Sequence, residues 1–476
     1  MSAVLAVFQK VNTSQATGAL GAADRTESNV TGPKYRWQLY TAFRLDRPRT
    51  PNPGGGPDVR FDMAARQSTI ATYVALLLVS SSACLATTWV GTWGAAPLPP
   101  TPAMGPFPAT RSFNNVTIRQ VVRVSAGGGR VRIRLTNEYG TRPLVIGKAS
   151  IAIANSAGEI QSGTVHALSF DSHPGVTIPA GAPLLSDAVE LQVAPLSSLS
   201  ISVYFPEDTG PCTCHETGLQ TGYVSEQGDF TAAGPFSAHE KVQVRAFISG
   251  VEVESTAKAV VVLGDSISDG IGSTPDENRR WPDHLAERLL KHSGRPGWGV
   301  VNMGISGNRV LSGGLGDSAL TRFDRDVLSI PGAAYVIAFM GVNDLGISYG
   351  HAEGPMAEAF KALQPPHPVT SEALIVGYRQ LIERSHAKGV KIIGATITPY
   401  GGSAYYSAEG EKIRQAINTW IRTSRAFDGV IDFDAVIRDP ADPTRIKEGF
   451  HMGDHLHGSD AAYEAMAQSI DLSLLR

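Results

Sequence analysis

From Lys258 onward the chain alternates short apolar runs with helical periods, and few architectures can absorb that pattern. The runs are Val260–Leu263, Val300–Met303, Tyr335–Met340, Val390–Thr396 and Val430–Phe433. Near-continuous apolar runs of this length are how strands buried on both faces read. Helical patterns separate them. One covers His284–His292 with Pro282 at its opening turn, one covers Glu372–Lys388 and stops at Gly389, a third covers Glu409–Phe427, and the last runs from Ser459 to Leu475. Strands joined by crossover helices pair in parallel. The expectation for residues 258–476 is therefore an α/β domain of three layers, with a flavodoxin-like parallel five-stranded sheet.

A chain of 476 residues, 42% of them hydrophobic, has room for more than this domain. Residues 87–250 carry a different rhythm. Val131, Ile133 and Leu135 alternate with arginines, and Leu199, Ile201, Val203 and Phe205 alternate with Ser200, Ser202 and Tyr204. Period-two alternation with recurrent turn signals predicts half-buried antiparallel strands, and the region reads as a β-sandwich of jelly-roll-like type. Trp89, Trp93 and Phe107 flank strands, where an aromatic serves either as core or as a sugar-stacking platform.

Residues 1–62 lack periodicity and read as disordered. Residues 63–86 have the layout of a signal peptide: Met63 and Arg66, an apolar run from Ile70 to Val79, then small residues to Ala86. That run is too short for a membrane span. Together these segments imply a misassigned start, translation from Met63, and a secreted or periplasmic product. A net charge of -3 with both signs interspersed provides no field for a nucleic acid or an anionic membrane, so neither is expected as a stable partner. Cys212 and Cys214 leave open a local disulfide, a reduced pair, or a metal site with His215. No second Cys or His pair stands at zinc spacing, which argues against the metal. Oligomeric state is not legible.

The chemistry lies at the carboxyl ends of the strands, where open α/β sheets bind ligands. After the first run comes Gly264-Asp265-Ser266; after the second, Gly304-Ile305-Ser306-Gly307-Asn308; after the third, Gly341-Val342-Asn343-Asp344; past the fifth, Asp454-His455-Leu456-His457. Acyl transfer needs a nucleophile, a base, an orienting carboxylate and donors for an oxyanion. Ser266 is the candidate nucleophile, His457 the base and Asp454 its orienting carboxylate. The N–H of Ser266, the N–H of Gly307 and the side-chain amide of Asn343 are the candidate oxyanion hole. No metal and no organic cofactor is required.

These four blocks, GDSIS, GISGN, GVND and DHLH, resemble in order the signature blocks of the SGNH hydrolases, also called GDSL esterases/lipases. The resemblance covers about residues 258–476. It implies the SGNH hydrolase fold, Ser266, Gly307, Asn343 and His457 as the eponymous residues, and Asp454 as the third triad member. The usual proline after the histidine is replaced by Gly458. WVGTWGAAP at the start of the β region and NRRWPD at Asn278–Asp283 resemble a bacterial subfamily of secreted arylesterases and acylhydrolases associated with xylan breakdown.

The function expected is a serine esterase acting on short-chain carboxylic esters, with acetylated polysaccharide as one substrate class. The alternatives are a broad arylesterase or thioesterase, and a carbohydrate-binding protein with a vestigial site. Rival residue readings also stand. His455 competes with His457, and His451, Asp454, His455 and His457 could together hold a metal ion. Asp269 and Asp344 read as turn or helix-capping groups, and Gly316-Asp317-Ser318 is a second GDS with no apolar run before it. Leu345–Thr370 reads as a long connection that shapes specificity.

Overall fold

The strand Ala259–Gly264 is buried along its whole length and lies between two parallel neighbours. The computed structural model describes residues 88–102, 109–155, 158–232, 236–294, 296–351 and 355–476, all in one compact unit. The stretches expected to be disordered and to be a signal peptide, and also Phe107, lie outside the described residues.

Five parallel strands form one sheet in the order Gly299–Asn302, Ala259–Gly264, Ala333–Phe339, Lys391–Ala395, Gly429–Ile431. The first strand in sequence thus sits between the second and third, the flavodoxin-like order expected, with its switch point beside Ser266. The helix Trp281–Ser293 opens with Pro282 in its first turn, and Asp283 accepts from the Arg280 N–H at 3.2 Å. It pairs with the helix Asp460–Ser469, while Ser371–His386 pairs with Ala408–Thr423, and both pairs feed one apolar core with the sheet. The expected last helix breaks at Ile470, after which Leu472–Leu474 forms a single 3-10 turn.

The connection expected over Leu345–Thr370 is mostly helical. Val342–Tyr349 and Pro355–Leu363 are both helices, and Phe360 is buried against Tyr405 at 5.4 Å between ring centroids. A proline at a helix's opening position is compatible with the helix, so the Gly/Pro-rich composition misled the reading.

Before the parallel sheet the described residues form two large antiparallel sheets and two two-stranded ones. Five strands form the first: Trp89–Gly94, Ile248–Glu254, Gly128–Asn137, Ala182–Leu185 and Val189–Val193. The second orders Ala238–Val242, Gly222–Gln227, Val116–Arg123, Ser198–Phe205, Lys148–Ala154 and His166–Leu168. Val131, Ile133 and Leu135 from one and Ile118, Val122 and Ile201 from the other share a core. Strand Ile248–Glu254 runs past the expected boundary at 250. On the outer face of Gly128–Asn137, Arg132 stands opposite Glu252 and bonds it at 2.7 Å. The half-burial expected of Ser198–Phe205 is not found: Ser200 and Ser202 are buried, and Arg119 covers the strand by donating to the Ser202 hydroxyl at 2.9 Å. Arg132 lies over the Trp89 ring at 4.2 Å and Arg245 over Trp93 at 5.6 Å, so a face of each indole is already taken.

The β region is clamped to the parallel-sheet region by polar contacts. Ser125 Oγ accepts from the Val300 N–H at 2.7 Å, Arg123 meets Glu287 at 3.0 Å, and Thr221 donates to Asp276 through its N–H and hydroxyl. A Cβ on Gly94 would lie 2.5 Å from a Val301 methyl, so the approach of these backbones requires glycine.

Candidate active site

The sheet strand stops at Gly264 because Asp265 turns the chain. Its carboxylate accepts from the Ile267 N–H at 3.0 Å, capping the one-turn helix Ser266–Asp269, which ends where Gly270 adopts φ 102°. Ser266 is thereby fixed at the first position of a tight turn just beyond the strand.

Ser266 Oγ lies 2.8 Å from His457 Nε2, although 191 residues separate them. His457 Nδ1 lies 2.5 Å from Asp454 Oδ2. A carboxylate only accepts, so Nδ1 carries the proton and Nε2 is left to accept from the serine hydroxyl. The other carboxylate oxygen of Asp454 accepts from the Leu456 and His457 N–H groups, each at 3.0 Å. Burial raises the Asp454 pKa, but the His457 hydrogen bond, its charge and these two amides outweigh it and hold the carboxyl at about 2. A depressed carboxyl stabilises the fold above its unfolded value of about 3.9 and loses that contribution as pH falls towards the folded value. The stability gap between the wild type and Asp454→Asn is therefore expected to be fully open at neutral pH and to close between about pH 4 and pH 2. Urea unfolding at stepped pH measures it.

The candidate oxyanion donors assemble beside the serine's turn. Gly307 has φ 75°, and a Cβ there would lie 2.1 Å from a Leu315 methyl carbon, so both conformation and space exclude a side chain. Asn343 donates one amide hydrogen to the Asn308 carbonyl at 3.0 Å and accepts from the Tyr405 hydroxyl at 2.9 Å. A carbonyl cannot donate, so the amide's orientation is determined, and its second N–H is left for a ligand. Tyr405→Phe is expected to lower kcat about tenfold, the worth of one neutral hydrogen bond of about 1–1.5 kcal/mol, with KM little changed. Steady-state kinetics checks this.

Around these groups lies a polar frame that sequence reading missed. Arg322 is fully buried and donates to Asn308 Oδ1 at 3.0 Å, to the Met303 carbonyl at 2.7 Å and to the Gly264 carbonyl at 3.1 Å, with Asp326 at 3.3 Å. It staples the ends of the first two strands to the oxyanion loop. Arg322→Met is expected to cost about 3–5 kcal/mol of unfolding free energy, because it leaves several buried acceptors without their donor, although Asp326 keeps Arg325 at 2.6 Å. Chemical denaturation measures it.

Asp269 and Asp344 were expected as turn or capping groups; each lies in the first turn of its helix, and neither caps it. Asp344 is buried at the start of its helix and accepts from the Val310 and Leu311 N–H groups at 2.8 and 3.1 Å, anchoring the loop that carries Gly307. Asp269 accepts from the N–H and hydroxyl of Ser306 at 3.1 and 2.8 Å and meets His215 at 2.9 Å. The NRRWPD stretch packs on the same turn: Arg280 donates to the Asp269 carbonyl at 2.9 Å, and the Trp281 indole N–H to the Ser268 hydroxyl at 3.3 Å.

The rival readings come apart. His455 has φ 59° and packs against the His451 ring at 4.2 Å, while His457 alone of the three imidazoles reaches Ser266. Among the described residues no group of three or more His, Cys, Asp or Glu side chains is placed to hold a metal ion. Cys212 and Cys214 are joined in a disulfide, and His215 turns to Asp269 instead. In the second GDS, Asp317 accepts from the Tyr139 hydroxyl at 2.5 Å and Ser318 caps the helix Ala319–Phe323. Those residues are spent on structure.

The GDSL-like Lipase/Acylhydrolase family model matches residues 260–470, which carry these groups at the end of the parallel sheet. This part of the chain is similar to that family. Solved structures similar to it include a mutant of an acetyl-xylooligosaccharide esterase from Geobacillus Stearmophilus, 21% identical, covering 46% of this chain and 94% of that one with a TM-score of 0.35. A GDSL-like lipase from Bacteroides thetaiotaomicron VPI-5482 is 17% identical over 46% of this chain and 88% of its own, at 0.33. The psychrotrophic esterase EstA from Pseudoalteromonas sp. is 18% identical over 46% of this chain and 100% of its own, at 0.32. No curated protein matches the chain. Each of the three covers less than half of this chain.

Proposed function

We propose that the protein is a serine esterase that hydrolyses short-chain carboxylic esters through an acyl-enzyme. The observation that carries this is the unbroken chain Asp454–His457–Ser266, at 2.5 and 2.8 Å. In the proposed cycle Ser266 Oγ attacks the ester carbonyl carbon while its proton passes to His457 Nε2. The resulting oxyanion accepts from the Ser266 and Gly307 N–H groups and from Asn343. Collapse expels the alcohol, which takes the proton from His457. Water then attacks the acyl group with His457 again as base, and the carboxylic acid leaves.

Acetyl groups on polysaccharides are the proposed natural substrate class, supported by the resemblance of WVGTWGAAP and NRRWPD to a subfamily associated with xylan breakdown. The protein is proposed to act outside the cytoplasm. The Cys212–Cys214 disulfide supports an oxidising compartment, as does the signal-like layout of residues 63–86. Among the described residues no helix is long and apolar enough to cross a membrane.

Release of p-nitrophenol from its acetate by the wild type, and acetate from acetylated xylan, tests the reading. Absence of both overturns it. The helix Pro355–Leu363 bears on specificity, because Phe360 packs on the Tyr405 that holds Asn343, and Arg309 donates to the Leu363 carbonyl at 2.7 Å. Deleting Gly350–Pro366 is expected to change the ratio of rates on acetyl and butyryl esters severalfold, measured by competition between the two.

A further inference from the structure

The β region reaches into the catalytic machinery at one buried point. His215, in the short strand Cys214–His215, is 5% exposed, and Asp269 is 4% exposed. His215 Nδ1 lies 3.0 Å from the Ala96 carbonyl, which can only accept, so Nδ1 carries a proton. Nε2 faces Asp269 Oδ1 at 2.9 Å. The second oxygen of that carboxylate holds both the N–H and the hydroxyl of Ser306. Thr217, two residues after His215, adds a hydroxyl contact to Ser306 at 3.2 Å. Ser306 directly precedes Gly307, and Asp269 lies in the same one-turn helix as Ser266.

One carboxylate thus joins the nucleophile's turn to the oxyanion loop, and an imidazole from the other half of the chain determines where it points. Burial lowers the His215 pKa, but the charge and hydrogen bond of Asp269 and the Ala96 carbonyl outweigh it, so the ring's proton is held more tightly than usual.

We propose that His215 is a positioning residue for the oxyanion hole, acting on Gly307 through Asp269 and Ser306. The β region then completes the hydrolase site instead of merely accompanying it. This deepens the esterase reading and rests on it for its kinetic arm. A donor displaced by a fraction of an ångström binds the substrate carbonyl nearly as before but stabilises the oxyanion less, so the loss falls on kcat.

The test uses the full chain and p-nitrophenyl acetate, with kcat expressed per site titrated by a phosphonate. His215→Ala is expected to lower kcat about 10- to 100-fold with KM within about twofold. His215→Gln, whose amide can donate from near the Nε2 position, is expected to recover to within a few-fold of wild type. His215→Asn, which retains only the Nδ1-like donor, stays impaired; if His215→Ala does not fold, the Gln and Asn variants carry the comparison. Lys148→Gln, which breaks an exposed ion pair with Asp229 within the β region, is expected to leave kcat unchanged. Amide hydrogen exchange over residues 304–308 is expected to accelerate in His215→Ala and not in His215→Gln, whatever the substrate is. A wild type with no ester turnover but with this exchange pattern would overturn the esterase reading and retain the positioning role. Equal kcat in wild type and His215→Ala, equal impairment of Gln and Asn, or unchanged exchange would overturn the role itself.

Discussion

Ser266→Ala is expected to abolish ester turnover to within the background of binding alone, a fall in kcat of about 10⁶-fold, while the protein keeps its unfolding midpoint. The hydroxyl bonds His457, so its removal deletes the attacking atom and leaves the capped turn and the strand intact. His457→Ala is expected to cost nearly as much. The double variant should be no worse than either single one, because nucleophile and base act as a unit. A sum of the two losses in the double variant would mean that the residues work separately. Single-turnover assays on a chromogenic acetate measure all three.

Asn343→Ala carries the second-largest expected effect, a loss of about 10²- to 10³-fold in kcat with KM close to wild type. The prediction follows from how the amide is held. One N–H goes to Asn308 and the carbonyl oxygen to Tyr405, so the orientation of the remaining N–H is fixed before any charge develops. The loss belongs to the transition state, so an effect carried by KM would mean that Asn343 binds substrate and does not stabilise an oxyanion. Comparing kcat and KM for Asn343→Ala with those for Tyr405→Phe separates removal of the donor from its misorientation.

The parallel sheet was legible because strands buried on both faces must be apolar throughout, and runs such as Val260–Leu263 leave little else to infer. Asp454 and His457 were legible because two residues separate them within one loop, the spacing of the resembled family. The frame around them was not. Tyr405 and Asn343 lie 62 residues apart, His215 and Asp269 54, and nothing local marks a tyrosine or a histidine as a partner for a distant amide or carboxylate. Asp269 and Asp344 carried the residue type of a cap, and only tertiary contacts reveal that each holds the loop bearing Gly307. The helix Pro355–Leu363 did leave a signal: Met356-Ala357-Glu358-Ala359-Phe360-Lys361-Ala362-Leu363 is rich in helix formers after a proline suited to the first position. The neighbouring prolines and glycines obscured it. In the β region, alternation identified the strands but not the burial of their polar faces, since that depends on segments far away in sequence, such as the one bearing Arg119.

The most direct measurement of the central claim is covalent trapping. The full chain is treated with a p-nitrophenyl phosphonate, digested, and mapped by mass spectrometry. One phosphonyl group per chain, on Ser266, lost in His457→Ala, is the result expected of a serine activated by that imidazole. No adduct, or an adduct on Ser318 of the second GDS or on another residue with Ser266 unmodified, would contradict it.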